Sequence, residues 1–398
     1  MSHAPTAALS VRHDYLRKAI AARGLDALVV TALPNILYLT NFTGSSAIAV
    51  VTPDRLYFIT DFRYVTVMAD ARGTPHECPG LELVTVEGSY DVTLAAVLAP
   101  HARIGFEAAH LTVARHTWLT RTLHAAAAES SISSQSAISN QSAIRNPQSA
   151  MRLLSTEHLV ERLRVRKDEY EIATMREAAA RLSAVATGVL TAVRRGETER
   201  DLALAIDVRI RQAGFERAAF DTIVASGPNA ALPHARPGER TITEGDLVVL
   251  DFGGVYDSYC VDLSRTVVAG KADRRTREVY DAVLEARRSA IASVGPGRSR
   301  FEIDQAARGA LEARGLGEAF GHGTGHGLGI EVHEDPRISR KRPDVDTQAP
   351  EVEPGMIFTI EPGAYLPGWG GVRIEDDVLV TDTGVDVLTD VTTELIEI

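Results

Sequence analysis

GHGTGHGLGIEVHE, residues 321–334, places five glycines and three histidines in one short segment. Glycine lets the backbone adopt a positive φ and pass close to a ligand. Imidazole is the side chain used most often for metal binding and proton transfer near neutral pH. Because repeated glycine weakens helices and strands, we expect this segment to form the floor of an active site and not a packed structural element.

Four carboxylates accompany this segment, each in or at the end of a strand that otherwise looks like core: Asp251, Asp262, Glu361 and Glu375. Taken singly, each could be solvated or paired with a nearby arginine, because acidic residues are mostly exposed. Taken together, with the glycine–histidine segment between the two pairs, they predict a site. A buried carboxylate is costly unless it is paired or bound to a metal.

The donor set formed by these carboxylates and one imidazole is rich in oxygen and lacks thiolate. Such a set suits two divalent ions with bridging carboxylates, Mn²⁺ or Co²⁺ foremost and Zn²⁺ or Fe²⁺ as alternatives. Competing motifs are missing from the sequence, namely the phosphate loops, the HExxH zincin motif and the nucleophile elbow. The residues therefore predict a dinuclear metal site.

The composition narrows the class of protein. With 398 residues, 45% hydrophobic and 24% charged, the chain fits two or three globular domains. A net charge of −11 argues against nucleic-acid binding. Cys78 and Cys260 are too few for a disulfide framework. Since we find neither a signal peptide nor an apolar run of about 20 residues, we expect a cytoplasmic protein without a membrane partner.

The pattern along the chain divides it into four parts. Residues 1–124 alternate strands and helices and predict an N-terminal α/β domain. The Ser/Gln/Asn-rich tract 125–150 is expected to be a mobile surface insertion. Residues 151–165 complete the N-terminal domain and the linker. Residues 166–398 show two helices followed by paired strands, twice over, which predicts an α+β catalytic domain with a site between duplicated halves.

The first strand pair of this domain is expected over Leu247–Phe252 and Cys260–Val268, with a turn at Gly253-Gly254. Side chains alternate across a strand, so Asp262 shares a face with Cys260 and Ser264.

Five motifs carry a resemblance to a known family: VVLDFGG, DLSRT, GHGTGHGLGIEVHE, TIEPGAY and VRIEDD. In this order they resemble the pita-bread metallopeptidases, which include methionine aminopeptidase, aminopeptidase P and Xaa-Pro dipeptidase (prolidase). The resemblance runs from about Ser155 to the C-terminus. The N-terminal motifs YLTNFTG and TDFRY resemble the smaller creatinase-type domain, which methionine aminopeptidases lack, and so favour the Xaa-Pro branch.

The resemblance implies roles for ten residues. It makes metal ligands of Asp251, Asp262, His326, Glu361 and Glu375, with Asp262 and Glu375 bridging. It makes Glu361 the general base and acid, and it places His333 and His234 against the substrate. The remaining three are implied substrate-binding residues, each with a structural alternative: a hydrogen bond to the glycine-rich loop for His322, an ion pair for Arg373 and simple packing for Tyr365.

The implied activity is hydrolysis of the Xaa-Pro bond at the N-terminus of dipeptides or short peptides, through a hydroxide that bridges two metal ions. The implied partners are short proline-containing peptides and a second copy of the chain in a homodimer. Two alternatives stay open, namely a metal-dependent lyase or other hydrolase acting on a small non-peptide substrate, and an inactive protein-binding member of the family. The sequence leaves open whether dipeptides or longer peptides are cleaved.

Overall fold

The computed structural model describes residues 3–135, 151–342 and 350–398, with the backbone alone for 126–135. The chain divides into two compact units between Arg164 and Val165. Within the described residues, no helix has both the length and the apolar character needed to cross a membrane.

The N-terminal unit is built around one six-stranded mixed sheet. Its elements are α1 (Thr6–Ala22), β1 (Ala27–Val30), α2 (Leu33–Thr40), β2 (Ile48–Val51), β3 (Leu56–Thr60), α3 (Phe62–Asp70), β4 (Leu81–Thr85), α4 (Tyr90–Leu98), β5 (Arg103–Glu107), α5 (Val113–Gln135) and β6 (Arg152–Thr156). The strand order is β4-β3-β2-β1-β5-β6. The pairs β1–β2 and β2–β3 are antiparallel and the other pairs are parallel. This is the mixed α/β arrangement that the sequence predicts.

Helix α5 differs from the expectation for the Ser/Gln/Asn-rich tract. The helix continues to Gln135, so the first part of that tract has a helical backbone. Four consecutive alanines, residues 125–128, open the tract, and alanine has the highest intrinsic helix propensity. The rest of the tract, residues 136–150, lies outside the described residues. After it, β6 pairs in parallel with β5 and completes the sheet.

The C-terminal unit repeats a pattern of two helices followed by strands. Its elements are α6 (Glu161–Val165, which spans the division), α7 (Glu169–Leu190), α8 (Glu199–Gln212), β7 (Arg217–Ala218), β8 (Ile223–Ser226), β9 (Leu247–Tyr256), β10 (Tyr259–Val268), α9 (Arg274–Ser293), α10 (Arg300–Ala313), β11 (Gly325–Gly327), β12 (Glu334–Ile338), β13 (Ile357–Ile360), β14 (Gly363–Leu366), β15 (Gly370–Arg373), β16 (Asp376–Val380), β17 (Val385–Val387) and β18 (Ile396–Glu397). One sheet has the order β18-β10-β9-β7 with β8 also on β9, a second has the order β12-β11-β13-β16-β17, and β14 pairs with β15. The predicted duplication is therefore present.

Local sequence explains where α7 begins and what it covers. Asp168 and Glu171 form a reciprocal capping box at its N-terminus, which satisfies free backbone N–H groups. The apolar stripe at three- and four-residue steps, including Met175, Ala179 and Leu182, is buried in the core with the strands of the first sheet.

The β9–β10 hairpin corrects the predicted turn at Gly253-Gly254. Both glycines lie inside β9, and the chain turns instead at Asp257 and Ser258, which have φ angles of 46° and 70°. Two central residues with positive φ fit the twist of a two-residue hairpin. The glycines are needed for space, because a Cβ on Gly253 would lie 2.3 Å from the Val261 carbonyl oxygen.

The glycine–histidine segment also differs from expectation. Gly325–Gly327 forms β11, an interior strand of the second sheet, so this part is a packed element. None of the glycines in the fully described segment 321–334 has a positive φ. A Cβ on Gly325 would lie 1.8 Å from the Thr359 carbonyl oxygen. Glycine is therefore required here because the neighbouring backbone approaches closely. The sequence pattern alone could not distinguish this need for space from a need for conformational freedom.

Candidate active site

The β9–β10 hairpin places two of the predicted ligands on one face of the first sheet. Asp251 lies opposite Ser264, and Asp262 lies opposite Gly253. Cross-strand partners share a face, and so do residues two apart on one strand. Asp251, Ser264 and Asp262 therefore point to the same side of the sheet.

The second half of the unit supplies the other three predicted ligands. His326 is the central residue of β11, Glu361 follows β13 directly, and Glu375 lies between β15 and β16. The two halves are joined at this point, because Glu375 N donates to Ser264 O at 3.0 Å. The Ser264 hydroxyl also donates to Glu375 Oε2 at 2.6 Å. The strands that carry the predicted ligands of both halves are thus fixed to each other at the site.

The five predicted ligands line one cavity of about 850 Å³. Ligand atoms of Asp262, His326 and Glu375 all lie within 4.8 Å of one another. Glu361 joins them, with Oε1 at 3.6 Å from His326 Nε2. Asp251 is held differently, since its Oδ2 accepts from Arg373 Nη2 at 2.5 Å. The structure thus brings together all five.

The electrostatics of this cluster call for a cation. Burial, followed by the charges of neighbouring carboxylates, raises the pKa values of Asp262 and Glu375 well above their usual range. Burial raises the pKa of Glu361 to about 7. Asp251 Oδ1 and Asp262 Oδ1 are buried and have no hydrogen-bond partner among the described residues. Oxygen atoms in this state fit divalent ions, which would offset both the burial and the mutual repulsion.

His326 has the geometry of a neutral nitrogen ligand. Burial lowers the pKa of its imidazole to about 3, so the ring is neutral at pH 7. Its Nδ1 lies 3.2 Å from the Gly327 carbonyl oxygen. With the proton on Nδ1 donated to that carbonyl, the lone pair of Nε2 faces the carboxylates, as metal-binding histidines require.

Two residues that sequence reasoning did not select support the carboxylates. Ser264 donates to Glu375 and accepts from Arg373 Nε at 2.9 Å. Asp377 Oδ2 accepts from Asp262 N at 3.1 Å and fixes the backbone of that ligand. Both residues stand in motifs that carry the family resemblance, DLSRT and VRIEDD. Their place in these motifs is the sequence feature by which they could have been selected.

The Arg373 side chain donates hydrogen bonds to several groups of the protein. It donates to Asp251, to Ser264, to the Tyr365 hydroxyl at 2.8 Å and to the Pro233 carbonyl oxygen at 3.3 Å. The contact with Asp251 is the ion pair named as the alternative for this residue. Because Arg373 also lines the cavity, its contact with a substrate stays a prediction. Its side chain orients Asp251 and ties β15 to the residue before His234.

Tyr365 and His322 extend this network; Tyr365 itself is not among the described residues that line the cavity. Tyr365 Oη accepts from Arg373 and lies 2.9 Å from His322 Nε2. Because burial raises the pKa of Tyr365 to about 12, its hydroxyl keeps its proton and can donate it to that nitrogen. His322 Nδ1 lies 2.8 Å from the Gly323 carbonyl oxygen, so the structural alternative for His322 is present. His322 also lines the cavity.

The other two histidines lie at the same cavity. The rings of His333 and His326 meet edge to face, with centroids 4.4 Å apart. Burial first, and then the charges of Arg337 and His234, lower the pKa of His333. His234 is solvent-exposed and follows the short 3₁₀ turn Gly227–Ala231. Both rings can therefore face a ligand that enters the cavity.

Comparison with known proteins identifies the family. The sequence model described as "Metallopeptidase family M24" matches residues 173–382, which is more than half of the chain. The chain belongs to metallopeptidase family M24. The model described as "Creatinase/Prolidase N-terminal domain" matches residues 12–141 of this M24 peptidase.

Relatives and solved structures agree with this assignment. The M24 peptidase is 35% identical to the uncharacterised peptidase YqhT of Bacillus subtilis over 96% of this chain and 99% of that one. It is 39% identical to an Xaa-Pro dipeptidase of Pyrococcus furiosus over 60% of this chain and 67% of that one. The structure of an Xaa-Pro dipeptidase from Bacillus anthracis matches with a TM-score of 0.84 and 33% identity, covering 98% of this chain and 100% of that chain.

The predicted fold class is confirmed: a creatinase-type N-terminal domain precedes a pita-bread catalytic domain. The M24 peptidase is an enzyme of the hydrolase class. Family membership implies divalent metal ions, and the oxygen-rich cluster fits them.

The pKa shifts of the acidic cluster predict how the stability of the metal-free M24 peptidase depends on pH. The carboxylates Asp262, Glu361 and Glu375 have pKa values above those of unfolded chains, so above pH 4 the folded state binds more protons than the unfolded state. Their contribution to stability is complete below about pH 4 and is lost as the pH rises through the folded pKa values. His322 and His326 act in the opposite direction, but only below about pH 6.5, where the unfolded imidazoles become charged.

We therefore expect the unfolding temperature of the chelated protein to fall between pH 6.5 and pH 8.5. Thermal unfolding of the chelated and metal-loaded proteins over this range measures it, with a smaller fall expected in the loaded protein. An unfolding temperature that is flat or rises with pH in the chelated protein would contradict the charge assignment.

Proposed function

We propose that this M24 peptidase hydrolyses the peptide bond between an N-terminal residue and a following proline, in dipeptides or short peptides. The observation that carries the proposal is the match to the Xaa-Pro dipeptidase structure, which extends over nearly the whole of both chains. It therefore includes the N-terminal domain as well as the catalytic one. An X-Pro aminopeptidase from Thermotoga maritima also matches, with a TM-score of 0.80 and 28% identity over 94% of this chain and 98% of that chain.

In this proposal, Asp251, Asp262, His326, Glu361 and Glu375 would hold two divalent ions. When bound, the ions would act as Lewis acids that polarise the scissile carbonyl and favour deprotonation of the attacking water. The cluster supports this by its geometry, since donor atoms from both halves meet in one cavity. The oxygen-rich donor set favours Mn²⁺ or Co²⁺, with Zn²⁺ or Fe²⁺ as alternatives.

Glu361 is the proposed general base and acid. Its carboxylate borders the cavity, with Oε1 near His326 and Oε2 3.9 Å from His322 Nδ1. Burial raises its pKa to about 7 in the metal-free protein. A bound cation would favour the ionised carboxylate that a general base requires. Glu361 would take the proton from the attacking water and deliver it to the leaving proline nitrogen.

His333 and His234 are proposed to stabilise the negative charge that develops on the carbonyl oxygen and to orient the peptide. Donors aimed at that oxygen act mainly in the transition state, so their loss lowers kcat more than it raises KM. Arg373 and Tyr365 would support this wall of the site by holding Asp251 and His322 in place. In this role they need not contact the substrate.

The proposal is tested by offering four substrates to metal-stripped enzyme supplemented with Mn²⁺: an Xaa-Pro dipeptide, an Xaa-Pro-Yaa tripeptide, the matching Xaa-Ala dipeptide and a small non-peptide acid. We expect cleavage of one or both proline peptides and little of the alanine control. The ratio of the first two decides between dipeptidase and aminopeptidase activity. Turnover of the non-peptide acid alone would overturn the proposal in favour of the lyase alternative.

Three further expectations stay predictions from the sequence. They are the physiological metal, a homodimeric state and a cytoplasmic location. Sedimentation of the purified enzyme tests the second directly.

A further inference from the structure

The loop that carries His234 is closed by a single buried carboxylate. Glu199, the first residue of α8, has no solvent exposure and accepts hydrogen bonds from both ends of this loop. Its Oε1 accepts from the backbone N and the hydroxyl of Ser226, both at 2.8 Å. Its Oε2 accepts from the backbone N of Gly238 at 3.2 Å. Asn229 Nδ2 reaches both oxygens, at 3.0 and 3.1 Å.

The backbone strengthens the same closure. Glu199 N donates to the Arg240 carbonyl oxygen at 3.0 Å, and Arg200 N donates to that of Gly238 at 3.1 Å. The end of the loop, at residues 238–240, is therefore tied to the first turn of α8 by main-chain as well as side-chain hydrogen bonds. Both oxygens of Glu199 accept in these contacts, so an amide in its place would turn an N–H₂ group toward a donor.

The inner side of the loop is fixed to the catalytic cavity at two points. Arg373 Nη1 donates to the carbonyl oxygen of Pro233, the residue before His234. Gly371 of β15 packs against the loop so closely that a Cβ there would lie 2.1 Å from the Ala230 carbonyl oxygen. The loop is thus held between Glu199 on one side and the Arg373–Asp251 pair on the other, while the His234 ring is exposed to the cavity.

We propose that Glu199 is a positioning residue for His234: it closes the loop 226–238 so that the imidazole is presented to the substrate at a fixed distance. The inference rests on the proposed function of His234 as a substrate contact. Glu199 itself does not line the cavity among the described residues, and it acts only through the loop.

The test compares Glu199→Gln, His234→Ala and the double variant in kcat and KM on an Xaa-Pro dipeptide with Mn²⁺. In Glu199→Gln the new amide N–H₂ faces donors on Asn229 or Gly238, so the loop loosens. We expect kcat to fall by roughly tenfold to a hundredfold, the range for a misplaced catalytic contact, with little change in KM or metal content. The double variant should be no slower than His234→Ala alone, because both changes remove the same contact.

Two further variants keep the test decisive. Asn229→Ala removes only the contacts made by that half-buried amide and should show the same pattern with a smaller fall in kcat, even if Glu199→Gln does not fold. Glu239 follows Gly238 in the chain, and its exposed carboxylate pairs with Arg200. Glu239→Gln should leave kcat unchanged. Wild-type kcat in both Glu199→Gln and Asn229→Ala would overturn the proposal. Multiplicative losses in the double variant would do the same.

Amide hydrogen exchange separates this inference from the proposed function. Exchange in residues 226–238 should accelerate at least about tenfold in Glu199→Gln, as expected when the hydrogen bonds that close a loop are weakened, while the cores of β9 and β10 stay protected. If the wild-type enzyme cleaves no Xaa-Pro peptide, the proposed function fails, but the exchange result still decides whether Glu199 restrains the loop. Unchanged exchange in this segment would overturn the restraint itself.

Discussion

Asp262→Asn is expected to lose bound metal and to lower kcat/KM by at least about 10³-fold. The carboxylate is buried where β10 meets the second half of the domain, with donor atoms of His326 and Glu375 within 4.8 Å. Asparagine keeps the shape but supplies no charge to a site whose proposed ions would contribute several kcal/mol to transition-state stabilisation. Each 1.4 kcal/mol is a factor of ten in rate. Elemental analysis and steady-state kinetics on the purified variant measure both effects.

The same substitution should leave the metal-free protein at least as stable as the wild type at pH 7.5. Burial and neighbouring carboxylates raise the pKa of Asp262, so removing its charge relieves repulsion in the empty cluster. Asp386→Asn is the matched control. Asp386 lies on β17, is half-exposed and pairs with Arg176. Full metal content and wild-type kcat/KM in Asp262→Asn would show that this carboxylate is not a ligand.

Glu361→Gln is expected to lower kcat by about 10²- to 10⁴-fold, the usual contribution of a positioned acid–base group. Glutamine can neither accept the proton of the attacking water nor return it to the leaving nitrogen. The Thr359 hydroxyl, which lies 3.5 Å from Glu361 Oε1, can still donate to the amide oxygen, so the side chain should keep its place. Initial rates of cleavage at saturating concentrations of substrate and Mn²⁺ measure kcat directly.

Glu353→Gln is the control for this variant, since Glu353 is an exposed glutamate paired with Arg166 shortly before β13. It should behave as wild type. A Glu361→Gln enzyme with kcat within tenfold of wild type would remove Glu361 from the proton-transfer role and leave it at most a ligand.

The sequence predicted the parts of the fold that depend on periodicity and on strand-end carboxylates. The stripe of α7 and the paired strands of both halves are buried as expected. The glycines were the main source of error. Gly253 and Gly325 both lie inside strands, where they make room for backbone of Val261 and Thr359. Close approach and turn formation favour the same residue, so composition alone could not separate them.

The candidate ligands could be selected from sequence because each stands in a short motif with few alternatives. Their supporting residues could not, because they act across long sequence separations. Ser264 reaches Glu375, Asp377 reaches Asp262, and Glu199 spans a loop that begins 27 residues later at Ser226. Serines, aspartates and glutamates are common in any soluble protein. Only the three-dimensional arrangement shows which of them are buried against the site.

We propose above all that hydrolysis by this M24 peptidase depends on divalent ions in the acidic cluster. The most direct measurement is the rate of Xaa-Pro dipeptide cleavage by enzyme stripped with a chelator, with metal content determined on the same sample, before and after Mn²⁺ is added back. We expect activity to be lost on stripping and to return with about two ions bound per chain, as for a two-metal site. Undiminished cleavage by enzyme verified to be metal-free would contradict it.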